Sequence, residues 1–195
     1  MKKHNLTMLA LTIAITALAA ASADVLAAED TTIGVSIGAR TDYGLHCASG
    51  ITCERNAGSS AKISFGKQLE PHFGVEAMAF RLGEAKGDVK NGSTTVPGTA
   101  KANGLGVSAV ASTELGAFTL KGKLGAAYVH GSTNFAAGGS AGKSSFVLPT
   151  VGASVSYAID KKWALNADWD NLPTRLNSGT KTHVNMLSLG MQYKF

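Results

Sequence analysis

The chain has 195 residues, 18 of them Lys or Arg and 13 Asp or Glu, for a formal net charge of +5. The basic residues are scattered, which excludes the clustered electrostatic footprint of a nucleic-acid binder, so no nucleic-acid partner is expected. Glycine is abundant at 23 residues and proline scarce at 4; after residue 28 the apolar residues are spread in single file, better placed to coat a surface than to fill a thick soluble core.

Met1-Lys2-Lys3 is a short basic start, and an apolar run of Leu, Ala, Ile and Thr follows over residues 9–21. Small-residue cleavage patterns end at Ala23, Ala27 or Ala28. This is the layout of a secretory signal peptide, expected over residues 1–28, with a single domain over 29–195. The run is too short and too diluted by Thr for a spanning helix of about 20 apolar residues. Its removal leaves 16 basic and 12 acidic residues, a charge of +4. An exported chain meets an oxidising compartment, so Cys47 and Cys53 are expected to form a local disulfide. A zinc site would need more ligands than the neighbouring His46; no metal or cofactor site is expected.

Eight alternating segments succeed one another in chain order. In residues 33–40, Ile33, Val35, Ile37 and Ala39 share one face, and Gly34, Ser36, Gly38 and Arg40 the other. A polar loop, 41–60, carries the cysteines. In 61–68, Ala61, Ile63 and Phe65 oppose Lys62, Ser64, Gly66 and Gln68, and Glu70-Pro71 marks a turn. In the third segment Phe73, Val75, Ala77 and Ala79 oppose Gly74, Glu76 and Met78; Phe80 and Leu82 break the pattern, as a bulge or an apolar rim would. Residues 83–101 read as a long loop. Segment four, 102–113, sets Leu105, Val107, Ala109 and Ala111 against Gly104, Gly106 and Ser108, and a short turn comes next at 114–116. Segment five, 118–130, sets Phe118, Leu120, Leu124 and Tyr128 against Lys121, Lys123 and Gly125. After a Gly/Ser/Ala loop at 131–144, segment six (145–159) alternates from Val147 to Ile159, with Pro149 counting against a central strand position. A turn at 160–162 leads to segment seven, 163–170, with Trp163, Leu165, Ala167 and Trp169 opposite Asn166, Asp168 and Asp170. A loop at 171–182 precedes the last segment, whose apolar row is Leu187, Leu189, Met191, Tyr193 and Phe195.

Successive strand side chains point to opposite faces, so every segment has one greasy and one wet face. Segments of about ten residues, with short turns alternating with long polar loops, are the signature of a transmembrane β-barrel. Closure also removes every unpaired backbone edge, as lipid requires. A soluble sandwich or lipocalin-like barrel is the alternative, but the wet faces are rich in Gly and Ser, small enough for a narrow lumen. Phe73, Phe118, Tyr157, Trp163, Tyr193 and Phe195 are expected in an interfacial girdle at the short-turn end, and Tyr128 and Trp169 near the other.

The ending Met186-Leu187-Ser188-Leu189-Gly190-Met191-Gln192-Tyr193-Lys194-Phe195 resembles the last strand of the OmpA-like transmembrane barrel family. Val155-Ser156-Tyr157-Ala158-Ile159, followed by a short turn and a Trp-containing strand, resembles that family's strands six and seven. Ser188-x-Gly190-x-x-Tyr193-x-Phe195 also resembles the C-terminal signal read by the barrel insertion machinery. The resemblance covers the last forty or so residues by motif and the rest by pattern. It implies an all-β, eight-stranded antiparallel up-and-down barrel in a Gram-negative outer membrane, contacting its lipid and lipopolysaccharide. The periplasmic peptidoglycan-binding function of OmpA is not carried over.

The expected lumen charge network comprises Arg40, Lys62, Glu76, Lys121, Lys123 and Asp168, because a charge in so narrow an interior needs a partner or water. The expected function is a structural envelope role with surface recognition or adhesion through the four long loops, by a host or surface ligand. A narrow pore for small solutes is the first alternative. A lipid A-modifying enzyme is the second, since His130-Gly131-Ser132 has the His-x-Ser spacing of outer-membrane deacylases, with Asp160, Asp168 and Asp170 downstream. No catalytic residues are assigned, and His130 is read as a rim residue.

Overall fold

The computed structural model describes residues 30–43, 56–57, 59–91, 94–135, 142–175 and 181–195. The expected signal peptide, residues 1–28, and the expected Cys47–Cys53 disulfide lie outside the described residues. Among the described residues ten strands run in chain order: β1 Thr31–Tyr43, β2 Asn56–Ala57, β3 Ser60–Glu70, β4 Phe73–Arg81, β5 Ala85–Asn91, β6 Thr94–Leu115, β7 Phe118–Phe135, β8 Gly142–Ala158, β9 Trp163–Arg175 and β10 Lys181–Lys194. Eight form an antiparallel wall in the order β1-β3-β4-β6-β7-β8-β9-β10, and β10 pairs back onto β1. The other two prolong wall strands. β2 takes over from β3 against β1 (Thr41 opposite Ala57), and β5 takes over from β4 against β6 (Ala85 opposite Ala100).

The wall is therefore taller than the alternation alone predicts. Residues 83–101, expected as a loop, largely form the β5–β6 hairpin, whose pairing continues to Asn91 opposite Thr94. Backbone pairing carries these Gly-, Ser- and Thr-rich residues past the apolar band, where side-chain alternation no longer marks a strand. β7 and β8 likewise pair out to Thr133 and Gly142. The short turns fall within one or two residues of the expected places, at Pro71–His72, at Gly116–Ala117 and around Asp160. The Asp160 carboxylate accepts 2.7 Å hydrogen bonds from the backbone N–H groups of Lys162 and Trp163, which hold it below the usual carboxylate range. That contribution to the turn is present above the ordinary Asp pKa and fades as pH falls through the depressed value.

Inside and outside are inverted relative to a water-soluble protein. Leu124, Val147 and Ile37 are 69%, 66% and 64% exposed, whereas Lys62, Asp168 and Asp170 are 2%, 4% and 3% exposed. Facing water, so continuous an apolar surface would drive aggregation; facing lipid, it is solvated.

Two local departures from simple alternation matter. At the β1–β10 seam Gly38 lies opposite Ser188 and Arg40 opposite Leu187, so Ala39 is bulged out of register. One extra residue reverses the facing of the strand beyond it; Thr41 is buried and Arg40 exposed. Among the described residues, β8 pairs with β9 from Val151 onward, and residues 142–150 pair with β7. Pro149 thus sits where the ladder is one-sided, the place a residue without an N–H can occupy.

The seam also depends on Gly190. A Cβ there would collide with the Val35 carbonyl oxygen and with Ser36. Gly190→Leu should block closure. Its purified product should migrate identically on gels with and without boiling, whereas the wild-type barrel should show a heat-dependent shift.

Candidate functional site

Among the described residues, the lumen gathers a connected network of charges. Five charges of alternating sign cross it: Asp170, Lys62, Asp168, Lys123 and Glu76. Lys62 Nζ lies 2.6 Å from Asp170 Oδ2 and 3.2 Å from Asp168 Oδ2; Lys123 Nζ lies 3.1 Å from Asp168 Oδ1 and 2.8 Å from Glu76 Oε1. The chain stitches β9, β3, β7 and β4 across the barrel. Ser36 donates a further, long bond of 3.4 Å to Asp168. Each ammonium thus contacts two carboxylates, the arrangement that offsets desolvation of buried ions.

Of the network expected from sequence, Lys62, Glu76, Lys123 and Asp168 come together. Arg40 does not. The bulge at Ala39 turns it to the outer face, where it makes an exposed 3.5 Å contact with Asp42. Lys121 faces the lumen but bonds Gln192 Oε1 at 3.1 Å, an oxygen that also accepts from Asn166 Nδ2 at 3.0 Å. The alternation places Asp170 inward without assigning it to the expected network; its pairing with Lys62 makes it a full member.

Above the charges, toward the long loops, the interior becomes apolar. Met78, Phe80, Val129, Leu172, Val184 and Met186 are all at most 6% exposed and form one cluster. Phe80 and Leu82 are therefore not a bulge or a rim. β4 keeps its parity, and its inner row changes from polar to apolar beyond Glu76. The same change occurs on β10, where Val184 and Met186 continue the row of Ser188 and Gln192. Gly104 makes room for this layer, since a Cβ there would lie 2.7 Å from Phe80 Cζ. Below the charges the lumen widens into a polar vestibule of about 670 Å³, lined at depth by Lys121, Ser156 and Gln192 and open between the short turns.

The aromatics of the short-turn end cluster in two groups. Phe118 and Tyr157 have ring centroids 5.1 Å apart; Trp163, Tyr193 and Phe195 form a chain with separations of 4.9 and 5.1 Å. Lys162 Nζ lies 5.9 Å from the Tyr193 ring centroid, and Phe73 stands apart, exposed on β4.

His130 does not assemble a triad. It shares the outer face of β7 with Ser132, but two residues along a strand are about 7 Å apart. Its bonded partner is instead Ser145, directly opposite on β8, at 2.8 Å. Asp168 and Asp170 are on the inner side of the wall, committed to the lysines, and Asp160 is at the short-turn end.

An inverted, closed, eight-stranded antiparallel wall with short turns at one end defines an outer-membrane β-barrel. The chain belongs to the family described as "outer membrane protein beta-barrel domain", which it matches over residues 10–195. No curated protein matches it by sequence. Similar solved structures include OprG from Pseudomonas aeruginosa (TM-score 0.59, 17% identity, 86% of this chain and 96% of that one). Neisserial surface protein A is another (0.58, 19%, 85% and 96%). A third is Ail, the attachment invasion locus protein of Yersinia pestis (0.55, 15%, 86% and 99%). At these identities the likeness is one of fold.

Replacing Lys123 by Met should leave Glu76 and part of Asp168 uncompensated. The expected loss is about 3–5 kcal/mol, the cost of breaking a buried pair from one side, read as a lower urea midpoint for unfolding in detergent micelles.

Proposed function

We infer that the protein is a sealed barrel with a structural role in the envelope and recognition through its outer loops. The observation that supports this best is the double closure of the lumen. A solute entering from the vestibule meets the charge chain, then the apolar layer, and passage requires separating both. A narrow-pore reading is left with the vestibule alone.

Recognition is assigned to the segments 41–60, 83–101, 131–144 and 171–182. They carry seven basic against four acidic residues, a net of +3. Ail has been crystallised with sucrose octasulfate, a heparin analogue (TM-score 0.53, 14% identity, 85% of this chain and 97% of that one). By fold analogy, a polyanionic surface ligand suits the positive balance here. A non-enzymatic role is favoured by the unassembled surroundings of His130. Export through residues 1–28 and recognition of the final strand by the insertion machinery complete the reading.

In planar bilayers the purified barrel should show no frequent, large, stable conductance steps; such steps would overturn the sealed reading. Whole cells with and without the protein should differ in binding to host matrix or serum factors, and unchanged binding would reduce the role to structure alone. Deleting Phe195 should lower the level of protein in the outer membrane, measured by fractionation.

A further inference from the structure

On the outer wall, the apolar band ends at a row of polar side chains lined up by strand register. Arg81 on β4 lies opposite Asn103 on β6, Asn103 opposite His130 on β7, and His130 opposite Ser145 on β8. The row next toward the short turns is Ile63, Ala79, Leu105, Tyr128 and Val147, in matching register. These two rows have the same outward facing and are separated by one step of the alternation. One further step outward, Lys101 lies opposite Ser132.

These rows line a groove of about 750 Å³ across β3, β4, β6 and β7. Its lower wall is Ile63, Leu105 and Tyr128; its upper wall is Arg81, Lys101 and His130. Lys101 Nζ is 2.7 Å from Glu84 Oε2, whereas Arg81 is exposed and makes no ion pair with a described residue. The groove is thus apolar at hydrocarbon depth and cationic where the hydrocarbon ends. That profile is complementary to a lipid with acyl chains below and an anionic head group above. A water-soluble protein partner could not reach the lower half without displacing lipid. Guanidinium presents its N–H groups in a fork that matches a phosphate, and Asn103 and Ser132 add neutral hydrogen-bonding groups beside it.

We propose that this groove is a binding site for a phosphorylated lipid of the outer leaflet. Arg81 and Lys101 hold the phosphate, and an acyl chain lies along Leu105 and Tyr128. The site is separate from the lumen and shares Lys101 with segment 83–101, whereas Arg81 lies outside the recognition segments, so Arg81→Gln separates this proposal from the recognition reading.

The test uses the folded full-length barrel in detergent micelles doped with bisphosphorylated lipid A, with the same lipid dephosphorylated, or with phosphatidylcholine. Native mass spectrometry reads the bound lipid. The wild type should retain the bisphosphorylated lipid in preference to both others. Arg81→Ala with Lys101→Ala should weaken retention about ten-fold or more, as expected for losing charge-assisted bonds to phosphate. Arg81→Gln alone should give an intermediate loss. Arg40→Ala, which removes an outward arginine on the β1 side, should change nothing. All variants lie on the outer wall and should keep the heat-dependent gel shift, which reports folding. Equal retention of the dephosphorylated lipid, full retention by the double variant or by Arg81→Gln, or an equal loss in Arg40→Ala would each overturn the proposal.

Discussion

Everything in this molecule depends on the intolerance of hydrocarbon for an unpaired backbone N–H or C=O. A sheet in lipid must have no edge, so β10 has to find β1, and the chain meets itself after eight wall strands. Closure at eight strands then sets the width of the interior, which admits side chains and little else. Lys62, Lys123, Glu76, Asp168 and Asp170 face one another because the wall leaves them no other place to go. The alternating-sign chain they form lets that interior be ionic without leaving a charge uncompensated.

The lumen is stratified. A wet vestibule lies at the short-turn end, an ion-paired layer in the middle, and an apolar layer of Phe80, Val129, Leu172, Val184 and Met186 toward the exterior. The outer wall is stratified too, with an aromatic belt below, aliphatic residues at mid-height, and Arg81, Asn103, His130 and Ser145 above. The two stackings run in the same direction but carry opposite polarity at each height above the vestibule. Where the wall faces hydrocarbon the interior is charged; where the wall turns polar the interior turns greasy. The outer wall is polar where it leaves lipid, and the barrel's upper end retains a small core of the soluble kind.

Much of this is legible in the sequence because lipid and lumen impose a period of two that the residues obey. Eight segments, three short turns, the seam between 33–40 and the last segment, and the aromatic row from Phe73 to Phe195 can be read from it. The features that escape such a reading have physical causes. A one-residue bulge at Ala39 is invisible to an alternation count, so the count puts Arg40 on the wrong face. The rule that barrel interiors are polar hides the apolar layer: Phe80 and Leu82 look like errors of parity, and Val184 and Met186 draw no notice although they sit in the inner row. The heights of β5, β6 and β7 escape as well, since beyond the membrane both faces meet water and strand and loop compositions converge. The Lys62–Asp170 pairing is within reach, because alternation places both residues inward; only the three-dimensional stagger of β3 and β9 brings them together.

Pro149 has a consequence beyond its own strand. At Pro149, just above the point where β9 leaves the ladder, β8 pairs with β7 and with no other described strand. Outer membranes are crowded with barrels, and an open row is a template on which a neighbour's strand could zip. A residue with no N–H to offer interrupts that row, as proline does at natural sheet edges. The feature that looks like a defect in a strand thus withholds one backbone donor from any such neighbour.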